Sequence, residues 1–334
     1  MSSPISIRTR HSLKAHTVIH LTQRAAALQI RDRVRRRALS LGAAGVAWLE
    51  GLDDLLRDIA TEWHLSIERI LPGGTESLVV NARTAEGQDA VLKVAIPDLD
   101  PTGRQLRTLL AARGRGYVRV LRHDTARNAM LLERLGCQLA ELCLPLDAQI
   151  KAICATLLEA WTPLPEGERF MTGAEKARSH ADFIERAWRE LGEPCSAQTV
   201  EMACRFADIR CRAFDPEVAV LAHGDPHASN TLVVPGEPKR FKFVDPDGLF
   251  VERAYDLSIL MREWGAELLA GDPLVLGRRR CHLLARLTGV EPDPIWQWGF
   301  IERTANGLLL LQLGLETLAQ ESLAIVNAWA ADPS

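Results

Sequence analysis

Apolar residues recur at three- and four-residue steps between positions 42 and 63, at Val46, Leu49, Leu52, Leu55, Leu56, Ile59 and Trp63. That spacing predicts an amphipathic helix. Short apolar or alternating runs follow at 65–70, 77–80, 90–95, 117–123 and 128–135, and each reads as a strand. One short helix, 104–112, interrupts them. From position 145 the period changes. Ile150, Ile153, Leu157, Leu158 and Trp161 share one helical face, which Pro163 and Pro165 bring to an end. Helices are expected at 174–191 and 197–214, and again at 254–269, 274–288 and 296–330, the last with breaks. A loop, a strand at 231–234, a turn at 235–238 and a second strand at 241–244 divide the two helical groups.

That division carries the candidate chemistry. Asp225 and Asn230 lie five positions apart just before the first strand, and Asp245 directly follows the second. A hairpin would bring all three to one mouth. Asp and Asn oxygens suit Mg²⁺, which takes one or two protein carboxylates together with substrate phosphates. A further carboxylate can orient a hydroxyl and accept its proton, the division of labour found in phosphoryl transfer. Each of these residues singly also favours turns.

The segments His223-Gly-Asp-Pro-His-Ala-Ser-Asn230 and Phe243-Val-Asp-Pro-Asp-Gly248 resemble the catalytic and metal segments of the aminoglycoside phosphotransferases. Glu252-Arg-Ala-Tyr-Asp-Leu257 and Met261-Arg-Glu-Trp264 resemble the branch that phosphorylates streptomycin and hydroxyurea. The similarity spans roughly residues 43–330. It implies an α+β, two-lobed protein-kinase-like fold with a small antiparallel β-rich lobe and a larger helical lobe. The expected division is a basic N-terminal extension at 1–42, a small nucleotide-binding lobe at 43–134, a hinge at 135–137, and a helical catalytic and substrate lobe at 138–334.

The resemblance also implies roles. Asp225 is the residue that orients and deprotonates the acceptor hydroxyl, and Asn230 and Asp245 hold Mg²⁺. Gly73 and Gly74 form the loop over the nucleotide, although no Gly-Lys-Ser or Gly-Lys-Thr follows them as in a Walker motif. Lys93 is the strand lysine on the ATP phosphates. Glu133 precedes the hinge and Leu135 begins it, where adenine meets backbone groups. Gln105 stands where the pattern leads one to expect the glutamate partner of that lysine. Asp256 is a helix cap, by resemblance a brace for the catalytic loop, or both. His223 and His227 lack a third soft ligand and are expected to shape the loop.

Composition narrows the partners. Residues 1–37 hold nine Lys or Arg against one acid, Asp32, so the rest of a chain of net charge −3 is acidic. An acidic body argues against nucleic acid and for a cationic small molecule. The basic head reads as an unstructured tail, with a nucleic-acid arm, a membrane-surface helix, an organelle-type presequence or read-through upstream sequence as the alternatives. No apolar run reaches the ~20 residues of a membrane span, and the start lacks a signal-type apolar region. The seven cysteines are scattered, with no Cys-x-x-Cys pair, and a reducing cytoplasm is expected.

The expected activity is transfer of the ATP γ-phosphoryl group to a hydroxyl of an aminoglycoside, streptomycin at its 6-hydroxyl, by a monomer with no nucleic-acid or membrane partner. Guanidinium groups call for carboxylates and aromatic faces. Asp247, Glu252, Glu263, Trp264 and Glu267 supply them, with Glu263 and Glu267 four apart on one expected helix. The rivals are a kinase of hydroxyurea or another small hydroxylated metabolite, and a nucleotide-binding pseudokinase, to which Gln105 points.

Overall fold

The computed structural model describes residues 32–71, 74, 76–97 and 103–331. The small lobe holds α1 (Asp32–Leu39), α2 (Ala43–Trp63), β1 (Ser66–Ile70), β2 (Ser77–Arg83), β3 (Asp89–Ala95), α3 (Arg104–Ala112), β4 (Val120–Asp124) and β5 (Ala129–Glu133). Its strands form one antiparallel sheet in the order β1-β2-β3-β5-β4. One face of that sheet is covered by α2, whose Leu52, Leu56, Ile59 and Trp63 pack against Leu78, Val80, Leu92, Val94 and Leu131. Side chains alternate across a strand. With Leu92 and Val94 on the α2 face, Lys93 between them turns to the opposite face.

The expected tail is shorter than 1–42. Residues 32–39 form α1, which buries Val34 and Ala38 in the small-lobe core. The two lie four apart, on one helical stripe. Residues 1–31 are outside the described part.

The large lobe is mostly helical. It contains α4 (Leu146–Ala160), β6 (Met171–Thr172), α5 (Gly173–Glu190), α6 (Ala197–Arg212), β7 (Val220–Ala222), β8 (Thr231–Val234), β9 (Glu237–Phe243) and β10 (Leu249–Val251). It ends with α7 (Ala254–Arg262), α8 (Gly265–Leu269), α9 (Pro273–Thr288), α10 (Pro292–Gln312) and α11 (Glu316–Ala330). The chain joining the lobes is stitched to the β8–β9 hairpin. Gly136 N–H donates to Val233 O at 2.8 Å, and Val233 N–H donates to Cys137 O at 3.0 Å. On the other side, Val118 N–H donates to Phe243 O and Phe243 N–H to Gly116 O, both at 2.8 Å. The hairpin is thereby held from two sides at the junction of the lobes.

The helix expected at 254–269 is two helices. Two buried arginines end the first. Arg280 donates to Leu260 O, Glu263 O and Trp264 O, and Arg303 donates to Met261 O, Arg262 O and Glu263 O. These carbonyls belong to the last turn of α7 and the two residues after it, where cations are favoured. The chain then turns through Trp264 at φ 50° before α8 begins. Glu263 and Glu267 therefore do not share a helical face.

Candidate active site

The hairpin pairs Thr231 with Phe243, and Val244 N–H donates to Asn230 O at 2.9 Å. This register sets Asn230 and Asp245 side by side at the open end. Asn230 Nδ2 donates to Asp225 O at 3.0 Å, which ties the first loop to the same mouth. The three residues are thus brought together as the hairpin reading requires.

The loop around Asp225 is fixed from beneath. Asp256 is fully buried, and its carboxylate accepts from His223 N–H at 3.0 Å, Gly224 N–H at 2.8 Å and Trp161 Nε1–H at 2.9 Å. It braces the loop and does not cap α7, whose cap position is Arg253. His223 Nε2 donates to Val244 O at 3.0 Å while its Nδ1 accepts from Asp225 N–H at 3.1 Å, so one ring joins both loops. Its ring stacks on Tyr117 at 5.7 Å. Gly224, at φ 93°, lets the two loops touch: a Cβ there would stand 2.8 Å from Asp247 Cβ.

Asp225 itself is clamped at both oxygens. Arg262 Nη2 donates to Oδ1 at 2.6 Å, and His227 Nε2 lies 3.3 Å from Oδ2. Burial pushes this carboxyl up, but the His227 hydrogen bond and the Arg262 charge prevail and hold it well below the usual carboxylate range. Burial pulls His227 down, and Asp225 outweighs that and raises it. Arg262 is secured as a cation against burial by Asp225, then Glu302 and Glu263. So anchored, Asp225 is a fixed anion and a weak base. It can orient a hydroxyl and take its proton late, as the bond to phosphorus forms.

Across the cleft, Lys93 Nζ donates to Asp245 Oδ1 at 2.7 Å, and Gln105 Nε2 reaches the same oxygen at 3.4 Å. Asp245 has φ 57°, a conformation that costs energy in a residue with a Cβ and marks functional sites. Asn230, whose amide nitrogen is occupied, keeps its Oδ1 as an acceptor. Asn230 and Asp245 are an oxygen pair fit for a hard cation that shares phosphate ligands. Gln105 thus points at the Asp245 carboxylate beside Lys93.

Of the glycine pair, Gly73 lies outside the described residues. Gly74 has φ 81°, and a Cβ there would come within 2.7 Å of Ser77 O, so this tight turn needs glycine. At the hinge, the Glu133 side chain accepts from Arg119 N–H at 2.8 Å and pairs with Lys242 of β9. Leu135 is buried, and its carbonyl accepts from Arg134 Nε at 3.2 Å.

The expected substrate residues divide. Asp247 is exposed beside Asp225, and enclosure by the cleft walls together with the Asp225 charge raises its carboxyl. Glu263 is half-buried against Arg262. Trp264 is half-buried, with the Arg280 guanidinium 5.8 Å from its ring centre. Glu267 is exposed on α8. Glu252 faces elsewhere. Its carboxylate accepts from Arg210 and from Trp298 Nε1–H, and it lines a groove with Val218, Phe250 and Glu291 that contains none of Asp225, Asn230 and Asp245. The sequence reading gave no role to Arg262. Its signal was a basic residue within an apolar helical stretch, in Met261-Arg-Glu-Trp264 and six positions after Asp256.

Comparison with known proteins agrees with this geometry. The profile of the aminoglycoside/hydroxyurea antibiotic resistance kinases matches residues 62–308. The streptomycin 6-kinase of Streptomyces griseus is 29% identical over 293 residues, covering 86% of this chain and 92% of that protein. The hydroxyurea phosphotransferase of Kitasatospora aureofaciens is 30% identical over 305 residues, covering 86% of this chain and 81% of its own. Among solved structures, the choline kinase LicA of Streptococcus pneumoniae superposes with a TM-score of 0.56 at 14% identity, over 85% of this chain and all of LicA. That likeness shows the kinase-like two-lobed fold.

Proposed function

The chain belongs to the aminoglycoside/hydroxyurea antibiotic resistance kinases, and from that premise we propose that it transfers the ATP γ-phosphoryl group to the 6-hydroxyl of streptomycin and so inactivates the drug. The observation that carries the reading is the clamped, ionised Asp225 at one mouth with Asn230 and Asp245. Asp225 accepts the hydrogen bond of the attacking hydroxyl and fixes its direction. Its proton passes to that carboxylate as the new P–O bond forms and the ADP oxygen leaves.

Lys93 turns from Asp245 to the α- and β-phosphates, and the Gly73–Gly74 loop covers them. The backbone at Glu133 and Leu135 receives adenine. Asn230 and Asp245 would hold Mg²⁺, which supplies neutralisation of phosphate charge. Asp247, Glu263 and Glu267, with Trp264, offer carboxylates and an aromatic edge to the drug's guanidinium groups. Phosphorylation adds bulk and negative charge, which spoils the fit of a cation to RNA. A reaction that consumes ATP fits a cytoplasmic location.

Hydroxyurea is the second reading, favoured by the similarity to the hydroxyurea phosphotransferase. ADP release measured against a panel of streptomycin, hydroxyurea and neutral sugars separates the two. Streptomycin should give the highest kcat/KM, and its KM should rise with ionic strength as exposed charge pairs are screened. Turnover of hydroxyurea alone would replace the first reading with the second.

A further inference from the structure

Arg262 is held at two ends. While Nη2 reaches Asp225 Oδ1, Nη1 lies 3.5 Å from Glu302 Oε2. Glu302, on α10, is 5% exposed. Its other oxygen, Oε1, accepts from the Tyr255 hydroxyl and lies 2.8 Å from His180 Nε2. The charged and titratable groups facing it are Lys176 and His180 on α5 and Tyr255 and Arg262 on α7. A carboxylate buried for stability alone gains little over apolar packing of the same volume. Here it is aimed, through one guanidinium, at the reacting carboxylate.

A guanidinium is flat and rigid, so two anchors at its two ends fix both its plane and its rotation. The backbone beneath it is fixed separately by Arg280 and Arg303. The side chain's swing remains to be set: Glu263 Oε1 lies 3.4 Å from Nε and Nη2 on the Asp225 side, and Glu302 holds the far nitrogen, Nη1.

We infer that Glu302 is a positioning residue for phosphoryl transfer, holding Arg262 so that its other arm fixes Asp225 while Asp225 receives the acceptor. This rests on the reading of Asp225 as the acceptor-facing carboxylate. No bond of substrate is made to Glu302.

The test is a double-mutant cycle of Glu302→Gln and Arg262→Met, read as kcat and KM for ADP release with streptomycin and with water as acceptor. Displacing a catalytic group by about 1 Å from a distance costs up to ~10²-fold, so Glu302→Gln alone should lower kcat by about 10- to 100-fold. KM for ATP should change less than about twofold. In the Arg262→Met background the same substitution should cost nothing further, because the group it positions is gone. Losses that multiply across the cycle, or a loss confined to KM for ATP, overturn the inference while leaving the phosphotransferase reading intact. A wild-type chain that releases no ADP with either acceptor sinks that reading and this one with it. Should Glu302→Gln not fold, His180→Asn replaces it in the cycle, with the same two outcomes.

Discussion

Lys93 Nζ stands 2.7 Å from Asp245 Oδ1, joining the face of β3 to the loop after β9. The lysine proposed to serve the phosphates and the carboxylate proposed to serve the metal hold each other. Binding of nucleotide and of metal must then be linked, since each releases the partner the other needs. Lys93→Met should raise the KM for ATP at least about tenfold, the order of one lost charge-assisted contact, while Mg²⁺ alone binds more tightly to the freed Asp245. Asp245→Asn should raise the Mg²⁺ needed for half-maximal rate. Titrating metal with and without nucleotide checks both, and an unchanged KM for ATP in Lys93→Met would remove the lysine from the phosphates.

Gln105 donates to the same Asp245 oxygen from 3.4 Å. A glutamate there would draw Lys93 toward itself and add negative charge beside the metal carboxylate. Gln105→Glu should therefore fold, lower the Mg²⁺ concentration at half-maximal rate and tighten ATP. A weaker response to Mg²⁺ in that variant would place the side chain elsewhere.

Much of this site was legible because its parts are local. Asp225, Asn230 and Asp245 are separated by one short hairpin, and two strands with a Pro-Gly turn between them announce it. Lys93 was legible through the resemblance alone, since a lone strand lysine usually points to solvent, and its face follows from the packing of Leu92 and Val94. Arg262 was not. It meets Asp225 across 37 positions and Glu302 across 40, and no spacing rule reaches that far. The helix 254–269 was misread because its apolar period runs through the break. What ends α7 is a pair of arginines from α9 and α10, a tertiary effect. The start of α10 at Pro292 was missed because proline reads as a stop, although it is well suited to a first helical turn. In α1 the basic residues hid the two small apolar ones that matter.

The Arg262 clamp fixes a pH dependence. Asp225 is depressed in the folded protein, so its ionised form persists through the ordinary carboxylate range near ~3.9 and is lost only as pH falls below it. Arg262→Met removes a lowering charge and leaves burial less opposed. The acid limb of kcat/KM should move to higher pH, with Arg262→Lys in between. The pH profiles of the three proteins decide it, and superimposable acid limbs would show that Arg262 does not govern Asp225.

Truncation separates tail from lobe. Deleting residues 1–30 should leave turnover and melting temperature unchanged. Deleting 1–42 also removes Val34 and Ala38 from the face of α2, and burial of a valine with an alanine amounts to about 2–3 kcal/mol. Thermal unfolding of the two truncations tests this. Loss of activity on the shorter deletion would give the basic head a part in the site.

The central claim is tested by weighing the drug. The purified protein is incubated with ATP, Mg²⁺ and streptomycin, beside Asp225→Asn as a control, and the product is examined by mass spectrometry and phosphorus NMR. The account predicts one added phosphoryl group at the 6-hydroxyl with the wild-type chain, and a rate at least ~10²-fold lower for Asp225→Asn, within the usual contribution of a general base. Unmodified streptomycin from an enzyme that cleanly phosphorylates hydroxyurea or an uncharged sugar would contradict it, as would near-normal transfer by Asp225→Asn.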